Sequence, residues 1–231
     1  MSVRVRPLAL FLPSCQTCDP VTSDAAAEER TTSSLAQHLL CAVPQLLDPN
    51  FVRSVVLIVD HTEQGAFGLV LNNLLPTTIT EFAEAVGLQW EGAPDQSLRL
   101  GGPVEPVRAF LLHDQIDWDP IADIVAPGAY LTASLEGVQR DSGPSFGASG
   151  NYMVFLGYAG WGPGQLESEM AQGSWMAVPV REPEATGPGV PVPWLWAADP
   201  EAMWQGALAA IGIDPAWLIG GSLGTRRGPQ A

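Results

Sequence analysis

Residues 54–59 read Ser-Val-Val-Leu-Ile-Val, Glu63-Gln64-Gly65 follow, and residues 66–71 read Ala-Phe-Gly-Leu-Val-Leu. The first run is apolar and β-branched, the triplet turns the chain, and the second run returns. Strand, short glycine turn, strand is the pattern of a β-hairpin with buried arms. Upstream, Gln37–Val43 is another short apolar run, closed by Pro44, and Asp48-Pro49-Asn50 marks a turn, because Asp and Asn bond their own backbone and Pro presets φ. Downstream, Thr77 and Thr78 can cap a helix whose apolar residues Ile79, Phe82, Ala83 and Val86 fall at i, i+3, i+4 and i+7 before Gly87 ends it. Leu98–Leu100, Ala109–Leu112, Ala129–Thr132, Tyr152–Leu156 and Trp175–Val178 read as further strands, and Asp141–Gly150 as a loop. A glycine-rich turn is expected over Gly157–Gly164, then a short helix from Gln165 to about Gln172. Glu182–Pro193 reads as a linker. Asp199-Pro200-Glu201 then opens a helix with a cap residue, Pro at the first helical position and an acid in the first turn; its buried face is Trp204, Ala207, Leu208 and Ile211, and Gly212 closes it. Strands and helices mix without a regular βαβ alternation, so the fold class is α+β.

The chain has 231 residues and a net charge of −15. All ten basic residues are Arg, against 25 carboxylates. Residues 35–180 hold four scattered arginines, Arg53, Arg99, Arg108 and Arg140, among sixteen acids. Affinity for nucleic acid comes from Lys and Arg neutralising phosphates, so direct DNA binding is not expected. No apolar run approaches the roughly 20 residues of a membrane-spanning helix. The three cysteines, Cys15, Cys18 and Cys41, are too few and odd in number for a disulfide scaffold, which points to a reducing cytoplasm. The apolar run Leu8–Leu12 is bracketed by Pro7 and Pro13 and is short for a signal-peptide core. Residues 1–34 are expected to be a disordered extension, 35–220 the domain, and 221–231 a flexible tail.

Several blocks in order resemble the YqgE/AlgH family of bacterial proteins. They are Leu39–Pro44 with Asp48–Phe51 and Ser54–Val56; Asp60-His61 with Gly65–Asn72; Gly101-Gly102-Pro103-Val104; and Leu156–Trp161 with Gly164–Glu167 and Trp175. The closing segment Leu208–Leu218, with Gly212-Ile213-Asp214, fits as well. Two departures are Cys41, where a small apolar residue is usual, and Asn73-Leu74, where Arg or Lys followed by Pro is common. The resemblance implies a compact α+β fold, a mixed sheet with a small β-barrel-like core flanked by helices. It implies no reaction. One member is linked by name to regulation of alginate production, which is not direct contact with DNA.

Several constellations deserve a chemical reading. The expected turn Gly157–Gly164 lies between strand and helix, where anion-cradling loops occur, but its spacing is not G-x-G-x-x-G and no Lys follows. A tight packing turn is the plainer use, with Tyr158 and Trp161 as stacking faces if a ligand enters. Gly143-Pro144-Ser145-Phe146-Gly147 spells G-x-S-x-G without the strand before and helix after that a nucleophile elbow needs. Asp60-His61 and His113-Asp114 each end a strand, so a His–His–Asp cluster forms only if those ends adjoin. Cys15-x-x-Cys18 with His38-x-x-Cys41 has zinc-like composition, but His38 and Cys41 point to opposite faces of one strand. Asp114, Asp117, Asp119 and Asp123 lack the spacing and Gly of a calcium loop and read as a solvated acidic loop around Trp118.

The leading expectation is a cytoplasmic binding or regulatory protein rather than an enzyme, without cofactor or resident metal. Its candidate binding residues are His61, Asn72, Gly101, Gly102, Pro103, His113, Tyr158, Trp161 and Gln165. The partner would be a small molecule or a protein; nucleic acid and membrane are not expected, and the oligomeric state is left open. One alternative is a hydrolase or metal-assisted enzyme using His61 and His113. Another is a protein-interaction module using the Trp-rich end, Trp194, Trp196, Trp204 and Trp217.

Overall fold

The computed structural model describes residues 34–90, 92–133 and 150–219. The elements are β1 (His38–Ala42), β2 (Val55–Thr62), β3 (Gly65–Val70), β4 (Leu74–Thr78), α1 (Ile79–Val86), β5 (Ser97–Leu100), β6 (Val104–His113), a 3-10 turn at Ile116–Trp118, β7 (Asp123–Ala126), β8 (Ala129–Thr132), β9 (Tyr152–Trp161), α2 (Gln165–Ala171), β10 (Trp175–Arg181), β11 (Val190–Pro191), α3 (Val192–Ala197), α4 (Pro200–Ala209) and α5 (Pro215–Ile219). The class is α+β, as expected. The strands form one mixed sheet ordered β11-β10-β1-β2-β3-β9-β6-β8-β7, with β5 pairing β9 in parallel and β4 pairing β5.

The hairpin β2–β3 sits at the centre. Its arms are covered on both faces, which is why they read as unbroken apolar runs. Val55, Leu57, Leu69 and Leu71 join a core under α3 and α4, together with Leu195, Met203, Trp204, Ala207 and Leu208. Val56, Ile58 and Val70 join a second core on the opposite face with Phe51, Trp161, Leu166 and Trp175, under α2. A third cluster packs Ile79 of α1 against Leu98, Leu111, Trp118, Tyr152 and Val154. Burying one such large apolar side chain contributes about 1.5–3 kcal/mol.

α1 is the helix its sequence announces. Thr78 accepts from the Glu81 N–H, the Glu81 side chain accepts from the Thr78 N–H, and Gly87 closes the helix in the left-handed region at φ 76°. Asp199 caps α4 by accepting from the Glu201 N–H. The closing residue there is Ala210, two residues before the expected end at Gly212.

Three expectations need correction. The barrel-like core does not form: the ladder is open, running from β11 at one end to β7 at the other. The sheet curls enough for Asp123 of β7 to feel Asp60 of β2. Burial first, then the charges of Asp60 and Asp119, hold the Asp123 carboxyl above its ordinary value. β7 pairs only with β8 and makes no ladder with β2 or β11 among the described residues, so the sheet stays open. Second, the glycine-rich stretch is strand through Trp161, and only residues 162–164 turn the chain into α2. Gly157 has φ 69°, and a Cβ there would lie 2.6 Å from the Gly102 carbonyl oxygen. Gly157 serves the close approach of two backbones rather than a bend. Third, Trp118 is buried in the third cluster and is not the centre of a solvated loop.

Candidate functional site

The candidate residues fall into four places. The first surrounds α2. His61 ends β2 opposite Ala66 of β3, and Ala66 in turn lies opposite Trp161 of β9. A bulge between Ile58 and Asp60 turns the imidazole toward α2. The Leu35 backbone N–H donates to His61 Nδ1 at 2.9 Å, so the ring proton is on Nε2, which donates to Glu167 Oε1 at 2.9 Å. Two residues along, Glu169 Oε2 accepts from the indole N–H of both Trp161, at 2.9 Å, and Trp175, at 2.8 Å. Gln165 completes the set: its Nε2 donates to Glu169 Oε1 at 3.0 Å and its Oε1 accepts from the Gly162 N–H at 3.1 Å. Phe51 stacks on Trp161 and meets Trp175 edge-on. Thus His61, Trp161 and Gln165 are brought together, and the residues that unite them are Glu167 and Glu169. Sequence reasoning placed neither glutamate among the candidate site residues. The signal was present in their spacing, since Glu169 stands between Trp161 and Trp175.

The second place is the crossing of Gly101-Gly102-Pro103 over Gly157-Tyr158. The Gly101 N–H donates to the Leu156 carbonyl and the Gly101 carbonyl accepts from Val70. A Cβ at Gly102 would lie 2.2 Å from the Tyr158 carbonyl carbon. The Tyr158 ring packs on Phe67 and Phe110, with centroids 4.9 and 6.0 Å away.

The third place is the turn after β3. The Asn72 side chain accepts from the Val55 N–H at 2.8 Å and donates to the Arg53 carbonyl at 3.0 Å. It staples the entry of β2 to the exit of β3. Arg53 there has a left-handed backbone, φ 52°, and its guanidinium lies 5.9 Å over the Trp204 ring.

The fourth place holds His113, which is 0% exposed. Its Nδ1–H donates to the Gln115 carbonyl at 2.9 Å, and its Nε2 lies 3.1 Å from the Thr132 hydroxyl. That hydroxyl donates to Asp119 Oδ2 at 2.7 Å. The ring stacks on Trp118. Burial lowers the His113 pKa against the opposing pull of the Gln115 carbonyl, Asp119 and Asp114. His61 and His113 belong to opposite ends of β9, opposite Ala66–Trp161 and Tyr152 respectively, and share no hydrogen-bond partner.

No group of three or more His, Cys, Asp or Glu suited to a metal occurs among the described residues. Two of the four acids of the run, Asp114 and Asp119, are spent on protein donors. Asp114 accepts from Asn151 and Gln115, and Asp119 from Thr132 and Ile121. Burial pushes the Cys41 thiol up to about 12, so it is an inert core residue. Cys15, Cys18 and the G-x-S-x-G stretch lie outside the described residues. Of the Trp-rich end, Trp204 is buried and donates to the Ala42 carbonyl at 2.8 Å, Trp194 and Trp196 are half-buried, and Trp217 is 77% exposed.

The AlgH-like family pattern matches residues 39–216, the span that holds all nine candidate binding residues from His61 to Gln165. The chain belongs to the AlgH-like family. A UPF0301 protein of Myxococcus xanthus is 42% identical to this AlgH-like chain over 190 residues, covering 81% of it and 97% of the relative. A UPF0301 protein of Stenotrophomonas maltophilia is 41% identical over 191 residues, covering 80% and 93%. The solution structure of the AlgH protein from Pseudomonas aeruginosa superimposes with a TM-score of 0.61 at 27% identity, over 87% of this chain and all of that one. A crystal structure from Corynebacterium diphtheriae, at 23% identity and a TM-score of 0.55, shares the fold, covering 77% and 87%. No helix among the described residues is long and apolar enough to cross a membrane.

Proposed function

We propose that this AlgH-like protein acts by binding, in a regulatory capacity, in the cytoplasm and without direct contact with DNA. Residues 35–220 would be the working domain, with 1–34 and 221–231 as appendages. The observation that carries the reading is the commitment of its chemistry-bearing side chains. His61, Asn72 and Gln165 each spend their hydrogen-bonding atoms on protein partners, and His113 gives its Nδ1–H to the Gln115 carbonyl inside the core. A general base needs reach to a substrate proton, and a fully buried imidazole stacked on Trp118 has none. The charge supports the DNA clause, with four arginines against sixteen acids in residues 35–180.

Thermal unfolding followed by Trp fluorescence, in a panel of nucleotides, metabolites and divalent cations, tests the reading. A ligand at a hundredfold its Kd adds about 2.7 kcal/mol of stability. A metabolite or nucleotide that raises Tm without being consumed supports it. A divalent cation whose effect disappears in a His61→Ala, His113→Ala double variant would contradict it in favour of a metal-assisted enzyme. A flat panel transfers the role to a protein partner, for which the exposed Trp217 is the first residue to substitute.

A further inference from the structure

The arginines of this acidic chain are not used alike. Arg108 pairs with Glu105 at 3.3 Å. Arg181 donates to the Gly189 and Ala185 carbonyls. Arg53 and Arg99 have no carboxylate within 4.0 Å among the described residues, in a chain where acids outnumber bases 25 to 10. Both touch the same turn, Leu71-Asn72-Asn73, Arg99 through its guanidinium and Arg53 through its backbone carbonyl. Arg99, half-buried on β5, donates one N–H to the Leu71 carbonyl. Arg53 offers its carbonyl to Asn72 and rests its guanidinium over Trp204. Leu71, Phe155 and Trp204 belong to one core, and Arg99 lies opposite Phe155 in the parallel β5–β9 pair, which places its side chain toward that core's face. The half-buried Asn73 accepts the Leu100 N–H on its backbone carbonyl, and its side-chain amide has no hydrogen bond among the described residues.

A guanidinium has five N–H donors in a rigid fork. Arg99 uses one kind of partner, a single carbonyl, and the rest of its fork meets no protein acceptor among the described residues. Taking such a cation partly out of water without a counter-charge is costly. Burial lowers its pKa to about 10, which still leaves it charged near neutrality. A planar oxyanion engaged by two parallel N–H bonds is the partner that a guanidinium fork fits. We infer that the Leu71–Asn73 turn, flanked by Arg99 and Arg53, is a binding site for the carboxylate or phosphate group of a small molecule. Arg99 supplies the half-buried fork, Arg53 a second cation braced on Trp204, and Asn73 a neutral amide. The inference rests on the binding reading above and gives it a ligand class.

The test titrates the full chain with inorganic phosphate and, separately, with citrate, at constant ionic strength set by sodium chloride. Thermal unfolding and Trp fluorescence are the readouts. A saturable rise in Tm is expected with one of the two anions, which also decides between phosphate and carboxylate. The rise should vanish in Arg99→Gln, weaken by about tenfold or more in Arg53→Gln, and persist in Arg108→Gln; a tenfold loss is about 1.4 kcal/mol. Should Arg99→Gln not fold, Arg99→Lys decides, because it keeps the charge and loses the fork; the same tenfold loss is expected. No saturable response to either anion, or an equal response in the Arg99 variants, would overturn the site. A metabolite that binds the wild type and Arg99→Gln equally would overturn the site while leaving the binding reading intact.

Discussion

Glu169 accepts two indole N–H bonds on one oxygen. Glu169→Ala leaves Trp161 and Trp175 with unpaired donors, and an unsatisfied buried donor costs about 1–3 kcal/mol. Urea unfolding should therefore show a loss of at least about 2 kcal/mol; a smaller loss would mean that water substitutes freely. His113 makes a pH prediction. Its folded pKa lies below the ordinary value of about 6.5, so between those two values the unfolded chain binds more protons. Stability then falls as pH drops below about 6.5, down to the folded pKa. Tm measured from pH 7.5 downward should decline, and the decline should flatten in His113→Gln. The histidines were legible as strand-end residues. Their partners were not, because Glu167 and Thr132 come from elements 106 and 19 residues away, and no local period reports a contact of that kind.

At the scale of elements, what could be read was whatever local chemistry decides. The Thr78–Glu81 capping box and Gly87 define α1 without help from the rest of the molecule. Thr78→Ala should cost about 1 kcal/mol in a denaturation series. The short strands β4, β7 and β11 were missed, because each is ordered by its neighbour rather than by its own residues. β4 even contains Pro76, which suits a strand away from the sheet centre. The glycines of β9 were misread for a related reason: a Gly that admits a crossing backbone and a Gly that bends the chain look the same in sequence. Substitution separates them. Gly87→Ala meets only open space and should cost about 1–2 kcal/mol from its left-handed φ. Gly157→Ala carries that strain and also meets the Gly102 carbonyl, so its loss should be clearly larger. Equal losses would mean that the crossing adapts.

For the whole molecule, the mixing of strands and helices without βαβ alternation led to the α+β class, but not to the open curl. That curl depends on β9 serving three partners, β3, β5 and β6, along ten residues. The same topology separates the two histidines whose adjacency a metal-assisted enzyme would need. The account therefore stands on their being structural. The direct measurement is nitrogen NMR of the imidazoles in the full chain, with and without added zinc. We predict an Nε2–H tautomer for His61 and an Nδ1–H tautomer for His113, both unchanged by the metal. Joint movement of the two rings on adding zinc, with loss of either tautomer, would contradict the account and restore the catalytic reading.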